Sequence, residues 1–391
     1  MRTVRYTILA LGVLWLSGCT TIDKQPELIK KGPLPKLSEN KMFPKLLWKN
    51  TQSSGSGKSD ANLRLAVTGS EIVVADSKGK ILALNRETGA EKWVVSTKVE
   101  ITAGPSISEG RVLVGTDDRK VLAYQLSNGT FLWQAKVTGS VMAAPVGGSG
   151  MVFVHGLDGS VVALNSQNGQ QRWRYSVQTP PLMLRQNSSP VLLNNHVIVG
   201  FSNGKLASLH RMDGFPEWER ELAISKGRSD IQRMVDISAD PVIKDNRLYA
   251  VSYQGQIAAM MIDTGETLWE RALSSYSGIA VSEDAVFLSD PNGVMWALNR
   301  KTGDVIWKQT ELMGRELSRP AIVGGLVVVG DNDGYLHWMS RNNGAFVAQD
   351  LIDSKGIKAP LVVKDNIVYV LGRSGKVAAL MPSHSGVSRG N

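Results

Sequence analysis

The sequence contains one thiol, Cys19, at the end of an N-terminal segment with three parts. Arg2 and Arg5 give the segment a positive start, an apolar stretch runs from residue 6 to residue 16, and Ser17-Gly18 precedes the cysteine. The apolar stretch is too short to cross a bilayer as a helix, so the pattern predicts an export signal. A cysteine thiol is also a nucleophile that can accept a lipid group.

The four residues from Leu16 to Cys19 resemble a bacterial lipobox, in which cleavage leaves the cysteine as a lipid-bearing N-terminus. The sequence therefore predicts a lipoprotein signal peptide over residues 1–18 and lipidation of Cys19. The alternative is an ordinary signal peptide with an unrelated cysteine. Thr20, rather than an aspartate, follows the cysteine, which resembles sorting to the outer membrane. We expect a lipid-anchored protein of the cell outer membrane that faces the periplasm.

Other reactive residue types show no catalytic or metal-ligating pattern. The histidines have no metal-ligand spacing; they are His155, His196, His210, His337 and His384. No glycine-rich phosphate loop and no nucleophile elbow occurs. The formal net charge is +9, and it falls to +7 when Arg2 and Arg5 leave with the signal. Because the basic residues are scattered, we expect no nucleic-acid partner, and we expect neither a catalytic site nor a cofactor or metal.

Residues 19–44 are polar and are interrupted by prolines, and they carry no apolar period. This composition predicts a flexible, lipid-anchored tether with a stretched length of about 80 Å at ~3.3 Å per residue. The folded body is expected over residues 45–382, followed by a disordered C-terminal tail over residues 383–391. With no cysteine in it, that body must be held together by burial alone.

Beyond residue 60 a phrase recurs with a spacing close to 40 residues. Its first position is Gly79, Arg119, Gly159, Gly204, Gly255, Gly293, Gly334 and Gly375. An alanine usually stands four residues later, a second glycine ten residues later and a tryptophan fourteen residues later. The tryptophans are Trp93, Trp133, Trp173, Trp218, Trp269 and Trp307, and Ala348 stands in their place in the seventh copy. Eight copies indicate a repeat architecture.

Each repeat contains alternating apolar runs and turn residues but no helical period. Pairs such as Asp158-Gly159 and Asn203-Gly204 predict tight hairpin turns in which both residues have positive φ. The sequence therefore predicts an all-β fold, an eight-bladed β-propeller of four-stranded antiparallel blades. The eighth copy lacks its outermost strand, and Lys45 to Lys49 forms an isolated tryptophan-bearing strand. We expect this N-terminal strand to complete the last blade. The periodic tryptophans are expected to fill the wedges between blades rather than to form an aromatic ligand site.

Two connections between blades are longer than the others. Most tryptophans are 38–40 residues apart, but Trp173 and Trp218 are separated by 45 residues, and Trp218 and Trp269 by 51. Alternating strand direction places both connections on one face. The first connection contains Leu182, Leu184 and Arg185, and the second contains Arg228, Asp230, Arg233, Met234 and Asp236. Apolar residues beside an arginine suit a protein-binding hot spot, although the leucines could equally pack beneath their own loop.

The repeated phrase resembles that of pyrroloquinoline-quinone (PQQ) propellers, a family that includes dehydrogenases. That resemblance raises a PQQ-dependent dehydrogenase as an alternative function. The dehydrogenases pair the quinone with a disulfide of adjacent cysteines and a carboxylate-held calcium, and a cysteine-free body cannot form that disulfide. A stand-alone periplasmic binding propeller is the other alternative.

From residue 1 to about residue 382, lipobox, tether and blades together resemble the BamB family, the propeller lipoproteins of the outer-membrane β-barrel assembly machinery. The string from Asp331 to Trp338 is similar to the seventh blade of that family. The resemblance implies a non-catalytic scaffold that assists folding and insertion of outer-membrane β-barrels. It also implies docking to the POTRA domains of the central barrel protein, and further partners in unfolded outer-membrane protein precursors.

The partner-binding residues implied by this resemblance are Leu182, Leu184, Arg185 and Asp236, and Arg233 joins them from the neighbouring loop. The family loop can carry a second aspartate two residues after the first, where this sequence has Ser238. This difference at Ser238 affects the assignment of Asp236 as a partner-binding residue more than it affects the other assignments.

Overall fold

The computed structural model describes residues 29–38, 42–57, 59, 61–225 and 228–383. Within these ranges the chain forms strands and turns and contains no helix. The strands make eight separate sheets, each of which contains four neighbouring antiparallel strands. The prediction of an all-β, eight-bladed propeller is confirmed.

The strands follow the repeat along the chain. The first two are β1 (Lys45–Asn50) and β2 (Asn62–Leu63). Blades one to three are, from the centre outward, β3 (Ala66–Val67), β4 (Glu71–Ala75), β5 (Lys80–Asn85), β6 (Glu91–Ser96); β7 (Ile101–Ser108), β8 (Arg111–Thr116), β9 (Lys120–Gln125), β10 (Phe131–Lys136); and β11 (Val146–Gly148), β12 (Met151–His155), β13 (Ser160–Asn165), β14 (Gln171–Ser176).

The remaining five blades repeat that order. Blades four to six are β15 (Val191–Leu193), β16 (His196–Gly200), β17 (Lys205–His210), β18 (Pro216–Glu221); β19 (Val242–Lys244), β20 (Arg247–Val251), β21 (Ile257–Met261), β22 (Thr267–Arg271); and β23 (Ile279–Val281), β24 (Ala285–Ser289), β25 (Met295–Asn299), β26 (Val305–Gln309). Blades seven and eight are β27 (Ala321–Val323), β28 (Leu326–Gly330), β29 (Tyr335–Ser340), β30 (Phe346–Leu351); and β31 (Val362–Lys364), β32 (Ile367–Leu371), β33 (Val377–Met381), with β1 outermost.

The N-terminal strand closes the ring, as the sequence predicts. β1 pairs antiparallel with β33, so that Lys45 lies opposite Met381 and Asn50 opposite Val377. Strand β2 is an addition that the repeat does not predict, because it pairs parallel with β7 on the inner side of blade two.

The two middle strands of each blade are buried on both sides, because each blade is packed between two neighbours. Strand β12, for example, is buried along its whole length. In most blades the outer strand is largely exposed except at the tryptophan, as β14 is around Trp173, whereas β30 of blade seven is buried in its first half. In the sequence the buried middle strands are therefore continuous apolar runs, whereas an outer strand is marked by its single tryptophan.

The tryptophans fill the wedges between blades, as predicted. Trp173 is buried, and its indole Nε1 donates a hydrogen bond to the backbone oxygen of Arg211 in the next blade at 2.9 Å. Its ring lies against Gly214, where an added Cβ would approach the ring within 2.5 Å. The second glycine of the repeat is therefore needed because the tryptophan of the preceding blade packs on it. Trp48 of β1 makes the same contact to blade one, where its Nε1 donates to Arg86 O.

The prediction that both residues of Asp158-Gly159 and its equivalents have positive φ is wrong. Gly159 has φ of 73°, but Asp158 is not among the residues with positive φ. Gly156 N–H donates to Ser160 O, and Gly159 N–H donates to Gly156 O. This is a three-residue loop in which a type I turn precedes a left-handed glycine. Paired positive φ values occur instead between the first and second strands, as at Asp245-Asn246.

Strand direction gives the ring two faces. The turns between second and third strands, and the connections from one blade to the next, lie on one face, here called the upper face. The turns between first and second strands, and between third and fourth strands, lie on the lower face. Both long connections are therefore on the upper face.

Candidate functional site

The two long connections on the upper face are joined by a buried carboxylate. The Leu184 N–H, in the connection between blades three and four, donates to Asp236 Oδ2 at 2.9 Å. Asp236 lies in the connection between blades four and five and is only 1% exposed. Its other oxygen, Oδ1, has no hydrogen-bond partner among the described residues. The carboxylate thus links the two loops from beneath.

Burial also changes the acidity of this group. Removal from water disfavours the charged carboxylate and raises the pKa of Asp236 to about 7, although the Leu184 N–H bond acts in the opposite direction. Ser238, at the position of the missing second aspartate, is buried, so it does not face a partner either. Asp236 was expected to contact a partner; in the free protein its position allows it to orient Leu184 instead.

The other four residues of the predicted surface are accessible to different extents. Leu182 and Arg185 are exposed, whereas Leu184 is half-buried above the Asp236 carboxylate. Arg185 Nη2 lies 3.8 Å from Asp117 Oδ1, and both side chains extend into solvent. Arg233 is exposed and forms an ion pair of 2.6 Å with Asp230. The structure therefore brings the predicted apolar and cationic residues together on one face.

Two exposed isoleucines on the same face were missed by the sequence reasoning. Ile224 is 63% exposed and Ile231 is 64% exposed, both in the connection between blades four and five. A local turn holds Ile231 outward, since Arg233 N–H donates to Ser229 O and Gln232 N–H donates to Ser229 Oγ. Exposed apolar side chains grouped in one connection favour a protein-binding surface. The sequence shows that the longest connection contains these two isoleucines, but it does not show that their side chains are exposed.

The first loop rests on a rigid base. The imidazole of His155 is fully buried, and this burial lowers the pKa of His155 to about 4. The neutral ring donates through Nδ1 to Ser188 O at 2.9 Å, and Asn187 Nδ2 donates to Gly156 O at 2.9 Å. His155 is thus a structural support for the loop.

A charged cluster crosses the central channel beside this base. Arg64 Nη1 lies 2.8 Å from Asp240 Oδ2, and Arg319 Nη1 lies 3.8 Å from the same oxygen. Arg64 precedes blade one and Asp240 precedes blade five, on the opposite side of the ring. Asp240 Oδ1 accepts the Ser189 N–H at 2.6 Å, so the first loop is tied to this cluster as well.

Cys19 lies outside the described residues. Within the residues that the model describes, no group of three or more His, Cys, Asp or Glu side chains is arranged to hold a metal ion. The same residues include no helix that is long and apolar enough to span a membrane.

Comparisons with known proteins agree on one family. A family model described as outer membrane protein assembly factor BamB matches residues 77–309. The chain is 45% identical over 380 residues to a protein of that name from Alkalilimnicola ehrlichii, with 97% of each chain covered. It is 42% identical over 386 residues to the protein of that name from Legionella pneumophila, covering 97% of this chain and 100% of the other.

Solved structures show the same architecture. The crystal structure of BamB from Moraxella catarrhalis superposes with a TM-score of 0.80 at 26% identity, covering 87% of this chain and 100% of that one. A quinohemoprotein alcohol dehydrogenase from Comamonas testosteroni superposes with a TM-score of 0.71 at 13% identity, covering 89% of this chain and 77% of the other. At that identity the second likeness concerns the fold alone.

Proposed function

This chain belongs to the BamB family of outer membrane protein assembly factors, and we propose on that basis that it is a non-catalytic scaffold for assembling β-barrel proteins into the outer membrane. The observation that carries the proposal is the pair of upper-face loops joined by the Asp236–Leu184 hydrogen bond. They present apolar and cationic side chains from a ring whose wedges are filled by tryptophans. Such a rigid, preorganised surface loses little conformational entropy on binding.

The partner we propose for this surface is the POTRA domains of the central barrel protein. Leu182, Leu184 and Ile231 would be buried at the centre of the contact, and Arg185 and Arg233 would pair with acidic groups at its rim. Asp236 would act indirectly by holding Leu184 in place. Because charges at the core of a desolvated interface are costly, an aspartate at any of the three apolar positions should weaken binding strongly.

A capture experiment with purified POTRA domains tests this assignment. We expect Leu184→Asp, Arg185→Glu and Ile231→Asp each to reduce capture at least tenfold. Ile306→Asp is the matched control, because Ile306 is comparably exposed but lies on the outer strand of blade six. Undiminished capture by Leu184→Asp and Arg185→Glu, with tryptophan fluorescence unchanged, would refute the docking surface.

A second pair of variants separates orientation from direct contact at Asp236. Asp236→Asn keeps an oxygen to accept the Leu184 N–H, whereas Asp236→Ala leaves that donor without an acceptor. If Asp236 acts only through Leu184, the asparagine variant should capture POTRA domains as well as the parent does and the alanine variant should capture less. Equal loss in both variants would indicate that the carboxylate itself contacts the partner.

We further propose that Cys19 carries lipid and anchors the protein to the outer membrane, with the ring in the periplasm. The lipobox-like sequence before Cys19 supports this. Palmitate labelling in cells should mark the parent chain and leave Cys19→Ala unlabelled. An unlabelled parent chain would remove the anchor from the proposal.

Unfolded barrel precursors are the second partner class that we propose, bound by strand addition at an outer strand. Phe131 and Leu132 of β10 are exposed, as are Val305 and Ile306 of β26, which gives these strands apolar surface beside their unpaired edges. A photo-crosslinker at residue 306 should capture precursors, whereas one at residue 184 should capture POTRA domains. Absence of precursors among the products from residue 306 would contradict this step.

A further inference from the structure

Residues 29–38, named here the strap, lie along the outer edge of blade seven. The Ser38 N–H donates to Phe346 O at 2.7 Å, near the lower face where β30 begins. The side-chain amide of Gln349 donates to Pro35 O at 2.8 Å, halfway along β30. Residues 31 and 32 reach the upper-face turn between β28 and β29. The strap therefore runs antiparallel to β30, from the upper face to the lower.

The upper end of the strap is held by a buried charged group. Arg315 Nη2 donates to Gly32 O at 3.0 Å, and Arg315 Nη1 pairs with Asp331 Oδ2 at 3.0 Å. Arg315 and Asp331 are buried, as is His337, whose Nε2 lies 2.9 Å from the same oxygen. On the protein surface next to this buried group, Lys31 Nζ lies 2.7 Å from Asp333 Oδ2. A buried guanidinium needs acceptors for its donors, and the strap backbone supplies one of them.

Blade seven differs from its neighbours where the strap lies. Phe346 and Val347 are 2% and 8% exposed, whereas the matching residues of blade six, Val305 and Ile306, are 40% and 47% exposed. Met42, just beyond the strap, donates its N–H to Val347 O at 2.8 Å and belongs to the apolar cluster of this blade. Ala348 replaces the tryptophan of the repeat in that cluster. The edge of this blade is thus adapted to receive the N-terminal segment.

We propose that the strap fixes the point at which the lipid-bearing N-terminus leaves the ring, at the upper rim of blade seven. This inference rests on the proposed lipidation of Cys19. From Lys45 the chain could reach about 85 Å to Cys19, but from Ile29 it can reach only about 33 Å at ~3.3 Å per residue. The upper face at blade seven is therefore held close to the bilayer.

The position of this exit point suits the proposed docking. The anchored rim and the loops with Leu182 and Ile231 belong to the same face. Those loops flank blade four, three blades away from blade seven in a ring of eight. The anchor therefore leaves the docking surface uncovered while limiting how the ring can be oriented toward the membrane.

A matched pair of double variants tests whether the strap is held as described. Lys31→Glu with Ser38→Pro removes the contact to Asp333 and the N–H donor to Phe346 O. Lys30→Glu with Ser38→Ala makes the same change of charge but keeps that N–H, and Lys30 forms no ion pair among the described residues. In hydrogen exchange we expect the Met42 amide to exchange at least tenfold faster in the first double variant than in the second. Equal rates would overturn the docked strap.

The orientation is tested with lipidated protein on vesicles of phosphatidylethanolamine and phosphatidylglycerol that contain a headgroup-linked quencher. A dye is attached to Ser354→Cys on the upper face or to Asn343→Cys on the lower face of blade seven, both exposed positions. In protein with Lys30→Glu and Ser38→Ala, the control pair, quenching should be at least twofold stronger at residue 354 than at residue 343. In protein with Lys31→Glu and Ser38→Pro, which lacks two strap contacts, this difference should disappear. If the control protein attaches to the vesicles but the dyes at residues 354 and 343 are quenched equally, the inferred exit point is wrong and the lipid anchor still stands. Protein that does not attach would refute the lipid anchor itself.

Discussion

Substituting Asp236 by asparagine should stabilise the protein, and the gain should grow with pH. The carboxylate is buried and its pKa is raised to about 7, whereas in the unfolded chain it is close to 4. Between these two values the unfolded state has lost its proton and the native state has kept it. The free energy of unfolding of the parent protein therefore falls as pH rises through this window and is level above about pH 8.

The size of the effect follows from the difference between the two pKa values. At about 1.4 kcal/mol per pKa unit, the full cost of ionising Asp236 in the native state is about 3–4 kcal/mol. Asparagine carries no charge and can still accept the Leu184 N–H, so it avoids this cost. We expect Asp236→Asn to exceed the parent protein by about 1 kcal/mol at pH 4.5, where the carboxyl of the unfolded chain is already partly ionised, and by up to about 3–4 kcal/mol at pH 8.

Two measurements check this expectation. Urea denaturation followed by tryptophan fluorescence gives the global free energy of unfolding at each pH. Hydrogen exchange of the Leu184 amide detects opening of the loop alone, through which the carboxylate could reach water without global unfolding. Asp230→Asn is the control, because Asp230 is an exposed aspartate in the same connection. A difference between Asp236→Asn and the parent that does not change from pH 4.5 to pH 8 in either measurement would refute the reasoning.

Three further predictions concern the ring. Trp173→Ala should lower the free energy of unfolding by about 3–5 kcal/mol in thermal or urea denaturation, whereas the exposed neighbour Arg172→Ala should change it by less than about 0.5 kcal/mol. Trp48→Ala should weaken ring closure and accelerate amide exchange in β33 more than in β13; equal acceleration in both strands would contradict this role. Burial opposes ionisation of Asp240, but Arg64 and Arg319 hold the pKa of Asp240 below its ordinary value. Asp240→Asn should therefore cost about 3–5 kcal/mol at pH 7, a loss that shrinks as pH falls below about 4 and that a flat pH profile would contradict.

The ring could be predicted from the sequence because its interactions repeat. Each blade places a tryptophan against a glycine of the next blade, and eight copies make that spacing visible without a structure. Closure by β1 could be predicted for the same reason, since Trp48 is the tryptophan that the eighth copy lacks. The position of the two long connections followed from strand direction alone.

The missed features depend on single contacts between distant residues. The prolines and lysines of the strap show no apolar period, and this composition predicts a flexible tether. Blade seven holds the strap partly through hydrogen bonds to the carbonyl oxygens of Gly32 and Pro35. Because every residue type has a backbone carbonyl, the sequence gives no sign of these contacts. Asp236 looks like a surface charge in a polar loop, and its burial depends on how two loops meet. The pair Asp158-Gly159 predicts a two-residue hairpin loop, but Asp-Gly also fits the three-residue loop that the structure shows.

Because β1 pairs with β33, the ring can close only when nearly the whole polypeptide has been made. A ribosome makes Lys45 among the earliest residues of the body and Met381 among the last, so the final pairing waits for nearly the whole chain. A product that stops before residue 377 lacks β33, so β1 has no strand to pair with and Trp48 is not held against blade one. Exposed strand edges and apolar surface are features that proteases and chaperones detect. Truncated copies should therefore be removed before they compete with full-length ones.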